Sequence, residues 1–321
     1  MIAQEFGEAT YIEDLLAMSS MPGPTAVAIG VFDGVHLGHQ ALLSELCRRA
    51  SQTDAAATAL TFVRHPADVL APGHAPKHIC SLEERVKLLR EACPGIVIVA
   101  RFDHKLAALS PKEFVEEILV ARLRASSVVV GPNFRFGKGR TGDVHLLTDL
   151  ASRNGIVVVV APAVRAYGGI VSSTRIRRLV EAGDVEMAAK LLGKPFAVSG
   201  RVVEGEGIGR QLGFPTANLD TEQLQLVPKI GVYTADALVR GQQYRAAANV
   251  DMRPSLRPDT PLIEVHLVGF EGDAYGEPIR VEFKRRLRDK IRFPDRQSLM
   301  RQIAADVEAA AREPSGQLTR P

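Results

Sequence analysis

The sequence predicts two unlike domains: an α/β domain built on a doubly wound parallel sheet, then a small antiparallel barrel or sandwich closed by one helix. Two observations carry this. In the first half, short β-branched runs alternate with helical patterns, and each run is continuously apolar, as strands covered on both faces are. After Gly193-Lys194-Pro195 the runs instead alternate apolar and polar residues, the signature of strands with one face on a core. The expected bounds are 1–185 for the first domain and 186–312 for the second, with 313–321 a disordered tail. With 321 residues, 46% of them apolar, the chain is long enough for two cores.

The first-half strands are expected at Thr25–Val31, Ala57–Val63, Ile96–Ala100, Ser127–Gly131 and Ile156–Ala161. Between them, Gln40–Arg49 carries Leu42, Leu43, Leu46 and Cys47 at helical spacing. Ser81-Leu82-Glu83-Glu84 and Ser110-Pro111-Lys112-Glu113 have the spacing of capping boxes, the second with proline at the first helical position. In the second half Leu262–Leu267 is the clearest strand, with Ile263, Val265 and Leu267 on one face and Glu264 and His266 on the other. Ala197–Val203, Gly231–Val239, Tyr244–Val250 and Ile279–Phe283 are further candidates. Asp295–Arg312 reads as the closing helix, with Leu299, Ile303 and Val307 on one side.

Bulk composition excludes several classes. A net charge of +3 does not suit a dedicated nucleic-acid binder, and the basic stretch Lys284–Arg288 reads as a solvated face. No apolar run approaches the roughly 20 residues of a membrane helix, and no basic-then-apolar leader is seen. The three cysteines, Cys47, Cys80 and Cys93, lack metal-type spacing, and their odd number fits a reduced cytosolic protein. The expected location is therefore cytoplasmic, without nucleic-acid or membrane partners.

Three first-half segments sit where phosphate chemistry belongs, at strand ends opening into helices. The first is Val31–His39, in which His36 and His39 lie beside Gly38 at a helix start. The second is Gly131–Gly137, with Asn133, Arg135 and the rings of Phe134 and Phe136. The third is Ser172–Arg178, where Ser172 or Ser173 can cap a helix and Thr174 and Arg175 add a hydroxyl and a guanidinium. In the second half, Gly205-Glu206-Gly207-Ile208-Gly209-Arg210 offers backbone N–H groups to phosphates. Thr216 and Asn218 in Pro215-Thr216-Ala217-Asn218 supply oxygens suited to a hard cation.

These segments, with Gly30–His39, Thr61-Phe62 and His65-Pro66, occur in the order found in the bifunctional bacterial riboflavin kinase/FAD synthetase family. The chain resembles that family from about Ala26 to Asp306. The resemblance implies a Rossmann-like nucleotidylyltransferase domain that joins FMN to the AMP part of ATP, followed by a β-barrel riboflavin kinase. It implies His36 and His39 as catalytic groups of the first domain and Glu264 as the base of the second. Gly30, Phe32, Gly38, Asn133, Ser172, Ser173, Thr174, Arg175, Gly205, Gly209, Arg210 and Thr216 would bind nucleotide. Phe62, His65, Arg288 and Phe293 would bind flavin, and Thr216 and Asn218 would hold Mg²⁺. Riboflavin, FMN, FAD and ATP are then the small-molecule partners, with no permanently bound organic cofactor. The alternatives are a relative with one of the two activities, or a flavin- or nucleotide-binding regulator without turnover. The chain departs from the family pattern at Val63-Arg64, where an acidic residue and proline are usual, at Asp251, which replaces a glycine, and at Gly269, often an aspartate.

Overall fold

The computed structural model describes residues 5–6, 9–205, 207–221, 225–252 and 261–314. Most of the expected disordered tail, from 315 onward, lies outside them, as do Arg253, Pro254 and Ser255, which follow the departure at Asp251. The chain divides into two compact units. One comprises Met1–Pro76 and Leu82–Val171; the other comprises Lys77–Ser81 and Ser172–Pro321.

The first unit runs β1 (Glu5–Phe6), β2 (Ala9–Ile12), β3 (Thr25–Ile29), α1 (Leu37–Thr53), β4 (Ala56–Phe62), α2 (Ala67–Leu70), α3 (Leu82–Ala92), β5 (Ile96–Ala100), α4 (His104–Ala108), α5 (Pro111–Glu113), β6 (Ala125–Val130), α6 (Val144–Ser152), β7 (Val157–Val160) and a hairpin of β8 (Arg165–Ala166) and β9 (Gly169–Ile170). The sheet order is β1-β2-β5-β4-β3-β6-β7, parallel except at β1–β2. Residues of β3 alternate between two cores: Val27 and Ile29 join Leu60, Ile98 and Val128 on one face, while Ala26 and Ala28 join Leu43, Leu46 and Leu89 on the other. Covering both faces explains why the strands read as unbroken apolar runs. Chain order reverses at β3, which pairs with β4 on one side and β6 on the other. The crevice beyond its carboxyl end is the switch point at which such sheets take ligands.

Several expectations change in detail. β3 stops at Ile29 rather than Val31, because the next residues turn sharply. β7 is an edge strand whose Val157 and Val160 stay exposed, so it is not covered on both faces. β1 and β2 were not predicted. The Ser110 capping box forms with both reciprocal bonds, and the helix it opens continues in π geometry from Phe114 to Arg122. The expectation of reduced cysteines is corrected: Cys47 on α1 and Cys93 just after α3 form a disulfide, and Cys80 is a buried thiol outside it. Forty-six positions separate the pair in sequence, so no local spacing reveals it. The helices bring their Cα atoms to 5.9 Å, within disulfide reach.

The second unit holds α7 (Ser173–Ala182), α8 (Val185–Leu192), β10 (Phe196–Val203), α9 (Ile208–Gln211), β11 (Ala217–Thr221), β12 (Gly231–Val239), β13 (Gln242–Met252), β14 (Pro261–Leu267), β15 (Pro278–Arg288) and α10 (Arg296–Ala311). Its six strands close into a wholly antiparallel barrel, β10-β11-β14-β13-β12-β15. The period-two reading holds on β14: Ile263, Val265 and Leu267 are buried, while Glu264 and His266 are not. β11 was not predicted, since Thr216, Asn218 and Asp220 disguise a strand as a polar turn. α10 is capped by Asp295, whose carboxylate accepts from Ser298 N at 2.7 Å. Its Leu299, Ile303 and Val307 stay only half-buried, and its most buried residues are Asp306 and Ala310.

The disulfide makes a stability prediction. A cross-link of this loop length contributes about 2–4 kcal/mol in the chain-entropy account, so Cys47→Ser should lower the stability of the first unit by about that amount in a denaturant titration. Thiol counting on unfolded, unreduced protein should return only Cys80.

Candidate functional sites

The turn after β3 leaves the usual backbone regions. Phe32 (φ 51°), Gly34 (φ 79°) and Val35 (φ 40°) are all left-handed within four residues. For a phenylalanine and a β-branched valine such conformations cost about 1–3 kcal/mol each and persist only where the surroundings impose them. Phe32 and Val35 are fully buried, at 1% exposure, which supplies that constraint. The turn delivers His36 as the N-cap of α1. Its Nδ1 accepts from His39 N at 3.3 Å, and the two imidazoles stack with centroids 3.7 Å apart. Because Nδ1 is the acceptor, the proton of a neutral His36 ring resides on Nε2. Phe32 meets His39 edge-on at 5.3 Å. Space is tight on either side: a Cβ at Gly38 would come 3.1 Å from the His36 ring, and one at Gly30 would come 3.1 Å from the Phe32 ring.

A cavity of about 470 Å³ opens beyond the carboxyl ends of β3–β6. Gly30 and Val31, Phe62 and His65, Phe102, and Asn133 with Phe134 reach it from four strand ends. The structure thus gathers Gly30, Phe62, His65 and Asn133 on one wall system, while the histidine rings stand outside that lining. Phe134 and Phe136 stack at 5.7 Å, but Phe136 is buried and packs on Phe114, so it serves the core as well. At the family departure, Val63 N bonds to Ala100 O at 3.0 Å and its side chain packs on the core, while Arg64 is exposed. Ser172 is the residue that caps α7, its hydroxyl accepting from Arg175 N at 3.3 Å. Ser173, Thr174 and Arg175 form the first turn of that helix in the second unit.

In the barrel, strand register builds a row of side chains. Asn218 on β11 opposes Glu264 on β14, which opposes Asn249 on β13; Asn249 opposes Val232 on β12, and Val232 opposes Arg288 on β15. Asn249 Nδ2 donates to Glu264 Oε2 at 3.0 Å. Glu264, Asn249, Val232 and Arg288 line a cavity of about 370 Å³ with Gly209, Thr216 and Phe293, and the apolar stripe of α10 forms its far wall. That explains the half-burial of Leu299, Ile303 and Val307. Arg288 donates to both carboxylate oxygens of buried Asp306, with Nη2 to Oδ2 at 2.7 Å, and Gln302 adds a bond at 3.0 Å. The Arg288 guanidinium also lies 5.9 Å from the Phe293 ring.

The glycine-rich loop does steric work here. A Cβ at Gly205 would fall 2.1 Å from Asn218 Nδ2, and one at Gly209 would fall 3.0 Å from Thr216 Oγ1. The loop therefore makes room for the two side chains predicted to meet a cation. Arg210 lines a second hollow, of about 70 Å³, whose wall includes Thr216, so Thr216 borders both spaces. Among the described residues no group of three or more His, Cys, Asp and Glu side chains could hold a metal. The neutral oxygens of Thr216 and Asn218 fit Mg²⁺ bound largely through substrate phosphates and water.

Several charged residues of the second unit are paired. Lys290 engages Asp251, so the carboxylate that replaces a family glycine has a cationic partner. In the Lys284–Arg288 run, Lys284 meets Asp236 at 3.0 Å, Arg285 meets Glu313 at 3.0 Å, and Arg286 meets Asp289 at 2.7 Å. The run is a set of ion pairs rather than a bare solvated face. Hydrogen bonding from Arg286 holds the Asp289 carboxyl below its ordinary range. Sequence reading gave no site role to Asn249 or Asp306. Asp306 had a signal, a carboxylate beside the apolar stripe of an otherwise ordinary helix; Asn249 stood in a predicted strand as the family's asparagine, but only strand register pairs it with Glu264.

Comparison with known proteins assigns each unit to flavin nucleotide synthesis. Residues 18–175 match the FAD synthetase family model and residues 192–313 the riboflavin kinase model. The chain is 37% identical over 296 residues to the bifunctional riboflavin kinase/FMN adenylyltransferase of Escherichia coli (strain K12), covering 92% of this chain and 94% of the relative. It is 33% identical over 293 residues to that of Bacillus subtilis (strain 168), covering 90% and 92%. A crystal structure of a Streptococcus pneumoniae chain described as a macrolide-efflux protein superposes with a TM-score of 0.88 at 31% identity, over 96% of this chain and all of that one. The chain belongs to the bifunctional riboflavin kinase/FMN adenylyltransferase family. No helix among the described residues is long and apolar enough to cross a membrane.

Removing the Asp306 carboxylate leaves the Arg288 guanidinium partly buried and unpaired. Asp306→Ala should lower the stability of the second unit by about 1–3 kcal/mol in urea titration, and it should raise the KM for riboflavin.

Proposed function

We infer that this chain makes FAD from riboflavin in two ATP-dependent steps, one in each unit. In the barrel, the riboflavin 5′-hydroxyl attacks the γ-phosphorus of ATP. The hydroxyl is a poor nucleophile, so its proton must be accepted as the new P–O bond forms and ADP leaves. Glu264 is the acceptor, oriented by Asn249. The flavin occupies the larger cavity against Phe293, Arg288 and the α10 stripe, with the nucleotide on the Arg210 side of Thr216. When bound, Mg²⁺ neutralises charge on the phosphates; Thr216 and Asn218 are the residues to hold it.

In the first unit, a phosphate oxygen of FMN attacks the α-phosphorus of a second ATP, the bond to the β-phosphate breaks, and pyrophosphate leaves. The attacking oxygen is already anionic, so no base is needed. What the reaction requires is in-line placement and neutralisation of developing charge. The Nε2–H of His36, the His39 ring and the N-terminus of α1 supply donors for that charge. Phe62, His65 and Asn133 around the 470 Å³ cavity receive the flavin-bearing substrate and its partner.

The observation that carries this reading is the convergence of Glu264, Thr216, Arg288 and Phe293 on one cavity, in a chain matching both family models. Two substitutions test it. Glu264→Gln should lower FMN formation by about 10²–10⁴-fold; turnover at the wild-type rate removes Glu264 from the mechanism. Replacing both His36 and His39 with alanine should abolish FAD formation from supplied FMN, followed by chromatographic separation of the flavins, while riboflavin is still phosphorylated.

A further inference from the structure

Arg85, on α3, is the largest fully buried side chain among the described residues, at 1% exposure. Its Nη1 donates to Phe62 O at 2.7 Å and to Val31 O at 3.1 Å, and lies 3.4 Å from Thr61 Oγ1. Thr61 Oγ1 in turn donates to Val31 O at 3.0 Å. Among the described residues no carboxylate pairs with Arg85, and its Nε has no hydrogen-bond partner. A cation buried against neutral oxygens alone is costly. Its neighbours on α3, Val86, Leu88 and Leu89, are ordinary core residues. A leucine at this position would fill the core without that electrostatic cost, so packing does not account for the arginine.

The acceptors do. Val31 immediately precedes the left-handed Phe32 and the turn that delivers His36 and His39. Phe62 ends β4 and begins the loop carrying His65, and Phe62, His65 and Val31 all line the flavin-side cavity. One nitrogen thus joins the loop that approaches the triphosphate to the loop that approaches FMN. The strained turn needs an anchor at its base, and the Val31 carbonyl is the point at which it receives one. Resting on the adenylylation assigned above to the first unit, we propose that Arg85 is a positioning residue for that reaction, holding the two loops in register so that the FMN phosphate and the α-phosphorus meet in line.

The test measures adenylylation of FMN by the full chain, with FMN and ATP varied separately and rates referred to the fraction in which β3 and β4 amides are protected from hydrogen exchange. Arg85→Gln should lower kcat/KM about 10²-fold, the loss expected of a displacement near 1 Å, with the KM values for FMN and ATP both rising. Arg85→Lys, which retains a charged donor for the three oxygens, should recover at least tenfold of that loss. Thr61→Val, a near-isosteric change that deletes the hydroxyl between Val31 and Arg85, should raise both KM values severalfold without depending on how the arginine variants fold. Wild-type kinetics in Arg85→Gln or in Thr61→Val, a change confined to one substrate, or an Arg85→Lys as impaired as Arg85→Gln would each overturn the proposal. Failure of the unaltered chain to adenylylate FMN would instead refute the assignment of the reaction.

Discussion

The first unit depends on a backbone that leaves its preferred regions between Phe32 and Val35. A regular strand-to-helix connection would carry the chain away from the sheet without presenting a ring pair. Here the left-handed residues fold the chain back so tightly that His36 caps α1 with its own side chain. The cap orients the imidazole, and the imidazole crowds the space a side chain at position 38 would take. Strain, cap and glycine meet in one turn, and the burial of Phe32 and Val35 holds the strained residues in place.

The barrel solves a different problem. A carboxylate that must accept a proton has to be held in one orientation without being neutralised by a permanent cation. Closing the sheet sets Glu264 between two asparagines on neighbouring strands, and Asn249 donates a neutral hydrogen bond to it. The strong charge pairing is displaced elsewhere, to Arg288 with Asp306 and to Lys290 with Asp251. The arginine side of the cavity is thus fixed by a two-pronged bond, while on the glutamate side the neutral Asn249 amide holds the carboxylate. The glycines of the preceding loop give Thr216 and Asn218 the space to approach this row.

Much of this was legible in the chain itself. Apolar runs in the first half and period-two alternation in the second named the two architectures, since sheets covered on both faces and closed barrels impose different patterns on their strands. Motif residues were legible where chemistry narrows the choice: paired histidines at a helix start, and a glutamate on the polar face of β14. β11 and β7 show where local reading failed. The one hides a strand beneath functional polar residues; the other looks buried because its valines are apolar, yet lies at the sheet edge.

The sequence by itself determined the periodicities, the capping box at Ser110, a cap at Ser172 or Ser173, and the family motifs, because each depends on residues a few positions apart. Only the tertiary structure decided that Cys47 meets Cys93, that Asn249 meets Glu264, that Asp306 meets Arg288 and that Arg85 meets Val31 and Phe62. Those partners are 46, 15, 18, and 54 and 23 positions apart. Such contacts are set by strand register and helix placement, which arise from packing the whole core and leave no local pattern to read.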